Sequence, residues 1–140
     1  MDGGGLVNVL LDTTVLIHLL KGNENAIAKV DALRASSILF TTSINIYEVM
    51  RGIKLLNEVD KERHSNALKV LTSNIHVLDF DMLACEKASE VYAYLRKKGI
   101  EIDPPDYLIA GIALSLGIAG VMTKNEKHFG KIPGLKVINY

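Results

Sequence analysis

Short hydrophobic runs alternate with helix-like segments along the whole chain. The first run, VNVLL, precedes an apolar segment that begins after Asp12 and ends near Gly22. Similar pairs recur downstream, and together they predict strands at 6–11, 38–41, 75–78, 118–122 and 135–138. Because parallel strands need crossover connections, the alternation predicts an α/β fold with a mainly parallel central sheet flanked by helices.

The helix-like segments carry apolar residues at helical spacing and polar residues at their starts. Thr13 or Thr14 can cap the first helix, and Ser43 or Asn45 can cap a later one. In the long helix predicted after residue 81, an apolar stripe is formed by Ala84, Ala88, Val91, Tyr92 and Leu95. The further predicted helices are 26–34, about 61–71, the segment between Asp81 and Gly99, and a segment that starts at Pro105.

The composition is that of one folded domain spanning residues 1–140. With 49% hydrophobic residues the chain can bury a sizeable core, and its 16 basic and 16 acidic residues cancel. The net charge therefore gives no signal for nucleic acid, and an RNA or DNA ligand would need a local basic patch.

Cysteine usage and hydropathy bear on the compartment. Cys85 is the only cysteine, so the sequence offers no internal disulfide and no Cys/His zinc motif, which fits a reducing cytoplasm. A long uncharged stretch, 107–122, is shorter than the roughly 20 residues of a membrane span and contains Gly117 and Gly120. We predict that this run is buried core and that the protein does not bind membranes.

Three carboxylates stand in apolar surroundings. Asp12 follows the first strand, Glu48 lies within IYEVM, and Asp106 opens the helical segment PPDYLIAGIAL. Each lies at or near a predicted helix start, where free N–H groups and the helix dipole favour an anion. Alternatively, Asp12 and Asp106 are simple caps, and Glu48 pairs with Arg51 one helical turn away.

If the three acids converge, they repel one another unless a cation lies between them. Oxygen ligands without Cys or His favour Mg²⁺ or Mn²⁺ over zinc, and such ions suit phosphoryl transfer. Other enzymes with an Asp after a strand fit less well. Thr14 takes the place of the second Asp of an aspartyl-phosphate phosphatase, and Lys124 fits a phospho-receiver domain whose acidic pair is missing. The sequence also lacks the P-loop motif GxxxxGK[ST].

Four segments occur in this order: LLDTTVLIHLLKG, TTSINIYEVMRG, DYLIAGIALSLG and GVMTKNEKHFGKIPGLKVI. They resemble the four successive motifs of PIN-domain ribonucleases, and most closely those of VapC-type toxins of toxin–antitoxin pairs. The resemblance implies that Asp12, Glu48 and Asp106 are catalytic and bind the metal. The family often has a fourth acid where this chain has Asn125, so the resemblance leaves that role to Asn125 or to Glu126.

The resemblance implies a Mg²⁺- or Mn²⁺-dependent endoribonuclease. A metal-bound water would attack the phosphodiester and leave 3′-hydroxyl and 5′-phosphate products. Thr13, Thr14 and Thr123 match polar positions that orient the acids. The implied partners are an RNA substrate, a small antitoxin protein and a second copy of the chain in a homodimer. The alternative is a non-catalytic PIN module that binds RNA or a protein, which Asn125 in place of the fourth acid would favour.

Other polar residues receive simpler interpretations. Asp103 precedes two prolines and is predicted to be a loop acid, and His128 is predicted to pack or to face solvent. Arg96, Lys97 and Lys98 are predicted to be a solvated helix end. The predicted phosphate contacts are Arg51, Lys54, Lys124 and Lys127.

The resemblance also suggests how an antitoxin would inhibit the enzyme. We expect its apolar helix to lie in a groove formed by the first helix, around Leu19 and Leu20, and by the helix after Glu48. An Arg or Lys side chain would then enter the acidic site, because a guanidinium binds a carboxylate through two hydrogen bonds.

Overall fold

The computed structural model describes residues 7–140. The strands in this range are β1 (Val7–Leu11), β2 (Ser37–Thr42), β3 (His76–Leu78), β4 (Gly120–Met122) and β5 (Lys136–Ile138). The helices are α1 (Thr13–Leu20), α2 (Glu24–Arg34), α3 (Ser43–Ile53), α4 (Glu58–Thr72), α5 (Met82–Lys97), α6 (Pro104–Ser115) and α7 (Glu126–Phe129). Within residues 7–140, every helix is too short or too polar to cross a membrane.

The five strands form one parallel sheet in the order β3-β2-β1-β4-β5. Leu10 on the central strand pairs with Phe40 on one side and with Val121 on the other. The parallel arrangement of the predicted strands is therefore confirmed, with boundaries shifted by one or two residues. Leu6, the first residue of the predicted first strand, lies outside the described residues.

Helices cover both faces of the sheet, so the protein has three layers. Successive side chains of a strand point to opposite faces. Val9 and Leu11 of β1 belong to a core cluster shared with α1, α3 and α4, whereas Leu10 belongs to a second cluster shared with α5 and α6. The α/β fold predicted from the sequence is confirmed.

The pair α5–α6 packs closely enough to exclude a side chain at Gly111. A Cβ atom placed there would lie 2.6 Å from Cβ of Ala88 and 2.8 Å from the carbonyl oxygen of Ala84. This close approach fixes α6, whose first turn carries Asp106. Tyr92 of α5 lies on the predicted apolar stripe but is 45% exposed. The buried face of α5 is narrower and consists of Ala84, Ala88, Val91 and Leu95.

Two helix caps differ from the predicted ones. Asp12, which the sequence offered as an alternative cap, takes the N-cap position of α1 in place of Thr13 or Thr14, but its side chain makes no capping hydrogen bond. Thr42 is the N-cap residue of α3, where its side chain accepts from the N–H of Asn45. Each helix therefore begins earlier than predicted, which leaves the side chains of Thr13 and Asn45 available for other contacts.

Candidate active site

The carboxyl ends of the central strands open onto a cavity of about 350 Å³, which we name the acid cavity. Asp12 follows β1, and its N–H donates to the carbonyl oxygen of Met122 on β4 (3.0 Å). The lining residues are Asp12, Thr13, Thr14, Glu48, Asp103, Pro105, Asp106, Lys124 and Asn125. The four residues predicted to be catalytic, Asp12, Glu48, Asp106 and Asn125, thus lie around one cavity.

Asp12 is buried at the base of the acid cavity and is held on both carboxylate oxygens. Its Oδ1 accepts from Nδ2 of Asn45 (3.0 Å), and its Oδ2 accepts from Oγ1 of Thr123 (2.7 Å). Burial raises the pKa of the Asp12 carboxyl above its usual value, and the charge of Glu48 raises it further. The two hydrogen bonds oppose this shift because they stabilise the ionised form.

Glu48 lies on the second turn of α3, so the expectation that it stands near a helix start is wrong. Its backbone N–H is already part of the helical hydrogen-bond ladder, and the dipole of the helix terminus acts mainly within the first turn. Oε1 of Glu48 accepts from Oγ1 of Thr13 (2.6 Å). Oε2 lies 3.7 Å from Nη2 of Arg51, which confirms the predicted pair.

Asp106 lies in the first turn of α6 and is buried. Its Oδ2 accepts from Nδ2 of Asn125 (2.8 Å) and is in contact with Nδ1 of His128. Burial raises the pKa of the Asp106 carboxyl, whereas the His128 contact lowers it. For both Asp12 and Asp106, desolvation raises the pKa more than the charges of the neighbouring acids do.

His128 and Asp103 lie closer to the acids than the sequence suggested. Asp103, Asp106 and His128 each offer one metal-ligating atom, and these atoms lie within 4.8 Å of one another. His128 is on α7, three residues after Asn125, and contacts both Asn125 and Asp106. The prediction that His128 only packs or faces solvent is therefore wrong. Asp103 is the N-cap residue of α6 and is exposed at the edge of the acid cavity.

Neutral side chains link the predicted acids. The hydroxyl of Thr42 donates to Oδ1 of Asn45 (2.6 Å), and Nδ2 of Asn45 donates to both Asp12 (3.0 Å) and Oγ1 of Thr13 (2.9 Å). Because Thr13 in turn donates to Glu48, the first two acids are joined through Asn45 and Thr13. Every buried side-chain polar atom among residues 7–140 has a hydrogen-bond partner.

Sequence reasoning missed the role of Asn45, which it treated as a possible helix cap. The sequence did contain a pattern that links Asn45 to the site, because Asn45 precedes Glu48 by three residues. That spacing places both side chains on the same face of a helix. Since Asn45 is completely buried, its amide had to find polar partners.

The position of the missing fourth acid is also defined. Asn125 lines the acid cavity, and its backbone N–H donates to Oγ1 of Thr123 (2.8 Å). Glu126 is exposed, and its Oε2 lies 3.5 Å from Nδ2 of Asn139. Of the two residues that the resemblance left open, Asn125 is the one in the cavity wall.

The residues of the acid cavity suit a hard divalent cation. Four carboxylates and an amide line the cavity, and two of the carboxylates, Asp12 and Asp106, are buried with raised pKa values. A cation offsets the desolvation and mutual repulsion of such groups, and oxygen ligands are preferred by Mg²⁺, Mn²⁺ and Ca²⁺. The donor atoms present therefore fit a metal ion.

Comparison with known proteins agrees with this arrangement. Residues 9–135 match the PIN domain family. The chain belongs to the PIN-domain family. This PIN-domain protein is 30% identical to the tRNA(fMet)-specific endonuclease VapC of Salmonella typhimurium, over 94% of this chain and 97% of the relative. The resemblance to VapC-type proteins seen in the sequence is thereby confirmed.

Solved structures share the fold over nearly the whole PIN domain. The DNA-bound VapBC of Salmonella typhimurium matches with a TM-score of 0.83 and 29% identity, covering 96% of this chain and 98% of that one. The VapBC2 of Rickettsia felis, bound to a DNA fragment from its promoter, has the same fold, with a TM-score of 0.86 and 24% identity. This match covers 96% of this chain and 99% of that one.

Proposed function

We propose that this PIN-domain protein is a Mg²⁺- or Mn²⁺-dependent endoribonuclease and the toxin of a VapBC-type pair. The observation that carries the proposal is that Asp12, Glu48, Asp106 and Asn125 come from separate parts of the chain and line one cavity. The VapC relative, named as an endonuclease specific for tRNA(fMet), supports RNA cleavage as the reaction. The RNA substrate in turn supports a cytoplasmic site of action.

In this proposal Asp12, Glu48 and Asp106 hold the ion, with Asn125 as a neutral fourth ligand. The bound ion would lower the pKa of a water molecule and offset negative charge on the phosphodiester. Asn45 and Thr123 fix both oxygens of Asp12, so that its carboxylate keeps one orientation. His128 and Asn125 both contact one oxygen of Asp106, Oδ2, and so hold that carboxylate from one side.

We expect two cations, Lys124 and Arg51, to contact RNA phosphates near the acids. Lys124 lines the acid cavity, where its Nζ lies 3.8 Å from the ring centre of Tyr140 and contacts the Tyr140 carbonyl oxygen. Arg51 is exposed and lies beside Glu48, with its guanidinium 5.5 Å from the ring centre of Tyr47. A positive charge at the rim compensates the repulsion that a phosphate meets from the carboxylates.

The direct test is cleavage of single-stranded RNA by the purified protein. We expect cleavage with Mg²⁺ or Mn²⁺, loss of cleavage with EDTA, and products that carry 3′-hydroxyl and 5′-phosphate ends. Asp12→Asn should abolish activity, whereas Asp31→Asn, a change to an exposed acid on α2, should not. Cleavage that persists in Asp12→Asn after repurification would contradict the assignment.

A non-catalytic PIN module is the second candidate, and the neutral side chain at Asn125 favours it. Such a module would bind RNA or a protein partner without cutting RNA. It becomes the better account if the wild-type protein binds RNA but leaves it intact with either ion.

We further propose that residues 1–140 form one PIN domain and that two copies assemble as a dimer, which light scattering can test.

We propose that the antitoxin binds a second concave surface beside the acid cavity. This apolar groove has a volume of about 220 Å³ and lies between α1, α3 and α4. Its apolar wall is formed by Ile17, Leu20, Val49, Ile53 and Leu56. Glu48 lines both the groove and the acid cavity. A helix seated in the groove would therefore bring an Arg or Lys side chain within reach of the acids.

A further inference from the structure

We propose that a third concave surface binds one nucleotide of the RNA strand next to the bond that is cut. This inference rests on the proposed endoribonuclease function and concerns where its substrate lies. The surface, which we name the aromatic cavity, lies between the end of α5 and the start of α6. Its volume of about 750 Å³ lies in the range of about 300–1,000 Å³ that is usual for small-molecule sites.

The aromatic cavity adjoins the acid cavity directly. Asp103 lines both of them. His128 lines the aromatic cavity, while its Nδ1 contacts Oδ2 of Asp106 in the acid cavity. A phosphodiester placed at Asp106 therefore has a neighbouring nucleotide at the entrance of the aromatic cavity.

Two tyrosines supply a surface on which a base can stack. Tyr92 of α5 and Tyr107 of α6 both line the cavity, with ring centres 5.5 Å apart and ring planes at 56°. Tyr107 is half-buried, whereas Tyr92 is 45% exposed despite its place on an otherwise apolar helix stripe. Proteins bind single-stranded RNA by stacking its unpaired bases on such exposed aromatic rings.

The charges of the cavity match the parts of a nucleotide. Arg96 lies one helical turn after Tyr92, and its Nη1 donates to the Tyr92 hydroxyl (3.3 Å). An exposed guanidinium held there can bind a phosphate through two hydrogen bonds. Glu101 and Asp103 also line the cavity. Their carboxylates would repel a phosphate but can accept from ribose hydroxyls and base amino groups. The cavity therefore favours a whole nucleotide over a simple anion.

Binding of a fluorescein-labelled oligoadenosine RNA, measured by anisotropy, tests the proposal. The Asp12→Asn protein keeps the RNA intact during the measurement. In this background we expect Tyr92→Ala to raise Kd about tenfold, the effect of losing one stacked base. Tyr92→Phe should bind nearly as well as the parent. An abasic ribose-phosphate strand should bind more weakly and be indifferent to Tyr92→Ala.

Matched controls are available on the same helix. Tyr94 is exposed but does not line the aromatic cavity. The Nζ atom of Lys98 lies 5.3 Å from the centre of its ring. Tyr94→Ala should leave Kd unchanged. Arg96→Gln should weaken binding of the oligoadenosine and the abasic strand equally, and it should lower the salt dependence of binding by about one counterion. Lys97→Gln serves as the control for that charge.

Three results would overturn the nucleotide site. One is a Tyr92→Ala protein that binds oligoadenosine as tightly as Tyr94→Ala does. Another is a Tyr92→Ala protein that loses as much affinity for the abasic strand as it loses for oligoadenosine. The third is a Tyr92→Ala protein that changes from dimer to monomer in light scattering, because the cavity would then be a contact between copies.

Cleavage by the wild-type protein separates this inference from the proposed function. If wild type cuts RNA but Tyr92→Ala binds it normally, the nucleotide site is wrong and the endoribonuclease stands. If wild type cuts no RNA while the Tyr92 dependence of binding persists, the nucleotide site stands and the endoribonuclease is wrong.

Discussion

At the scale of single residues, the acid cavity is held together by neutral groups between the acids. Asn45 contacts Asp12 on one side and Thr13 on the other, and Asn125 contacts Asp106. These contacts orient the carboxylates but do not remove the cost of burying them, since the pKa values of Asp12 and Asp106 are raised. The metal-free cavity is therefore destabilising at neutral pH, and a bound cation would relieve that cost.

The buried acids give the metal-free protein a pH-dependent stability. The pKa of Asp12 is raised in the folded state above its usual 3.8. Between these two values the folded state binds more protons than the unfolded state, so the free energy of unfolding falls as pH rises. Asp12→Asn removes this contribution, and we expect it to be more stable than wild type at neutral pH by about 1 kcal/mol.

Urea unfolding in EDTA from about pH 4 to about pH 8 measures this effect. Asp31→Asn is the control, because Asp31 is exposed on α2. Mg²⁺ should then stabilise wild type at neutral pH but leave Asp12→Asn nearly unchanged. Parallel pH curves for wild type and Asp12→Asn would show that Asp12 is not buried as a destabilised carboxyl.

Asn125 sets the charge of the proposed metal site. Its Nδ2 lies 2.8 Å from Oδ2 of Asp106, so Asn125→Asp would place a fourth carboxylate against the third. We expect Mn²⁺ to bind about tenfold more tightly to Asn125→Asp, a difference of roughly 1.4 kcal/mol in calorimetric titration. Glu126→Gln should change the affinity little, because Glu126 is exposed outside the cavity. A larger loss from Glu126→Gln than from Asn125→Ala would transfer the role to Glu126.

At the scale of elements, the sequence predicted the strands and helices well and the side-chain partners less well. The parallel direction of the strands followed from the alternation of strand and helix periodicity, because parallel strands need crossover connections. The caps of α1 and α3 were each placed too late, because Asp12 and Thr13 both suit an N-cap, as do Thr42 and Ser43, and periodicity does not choose between neighbours. Because Asn45 was treated as a possible cap, its contacts with Asp12 and Thr13 were not predicted. His128 was missed because its contact with Asp106 spans 22 residues and depends on how α7 follows β4.

The packing of α6 against α5 can be tested at Gly111. A Cβ atom there would lie 2.6 Å from Cβ of Ala88, so we expect Gly111→Ala to lower the free energy of unfolding by about 1–3 kcal/mol. RNA cleavage should fall as well, because α6 positions Asp106. Gly52→Ala is the matched control, since Gly52 is helical and nothing lies within 4 Å of the added Cβ. It should stabilise the protein by about 0.5–1 kcal/mol. Equal effects of the two changes would show that α5 and α6 are not in close contact.

At the scale of the whole molecule, three concave surfaces meet around the carboxyl end of the sheet. The acid cavity shares Glu48 with the apolar groove and Asp103 with the aromatic cavity. One side of the acid cavity thus suits a protein partner and the other suits the RNA strand. A partner in the apolar groove can inhibit the enzyme only if part of it reaches across Glu48, which is why a basic side chain is expected there.

Substitutions at two adjacent leucines can test whether the apolar groove is the surface that binds the partner. Leu56 lines the apolar groove and is 38% exposed, whereas Leu55 is 89% exposed and does not line it. In co-expression with the product of the neighbouring reading frame, Leu56→Asp should reduce co-purification at least about tenfold, as expected when a charge is buried against an apolar helix. Leu55→Asp should co-purify normally, and both proteins should still cleave RNA alone. Normal capture by Leu56→Asp would exclude the apolar groove as the partner site. If no partner co-purifies with wild type, and wild type is harmless in the cell while cleaving RNA in vitro, a housekeeping role in RNA processing becomes the better account.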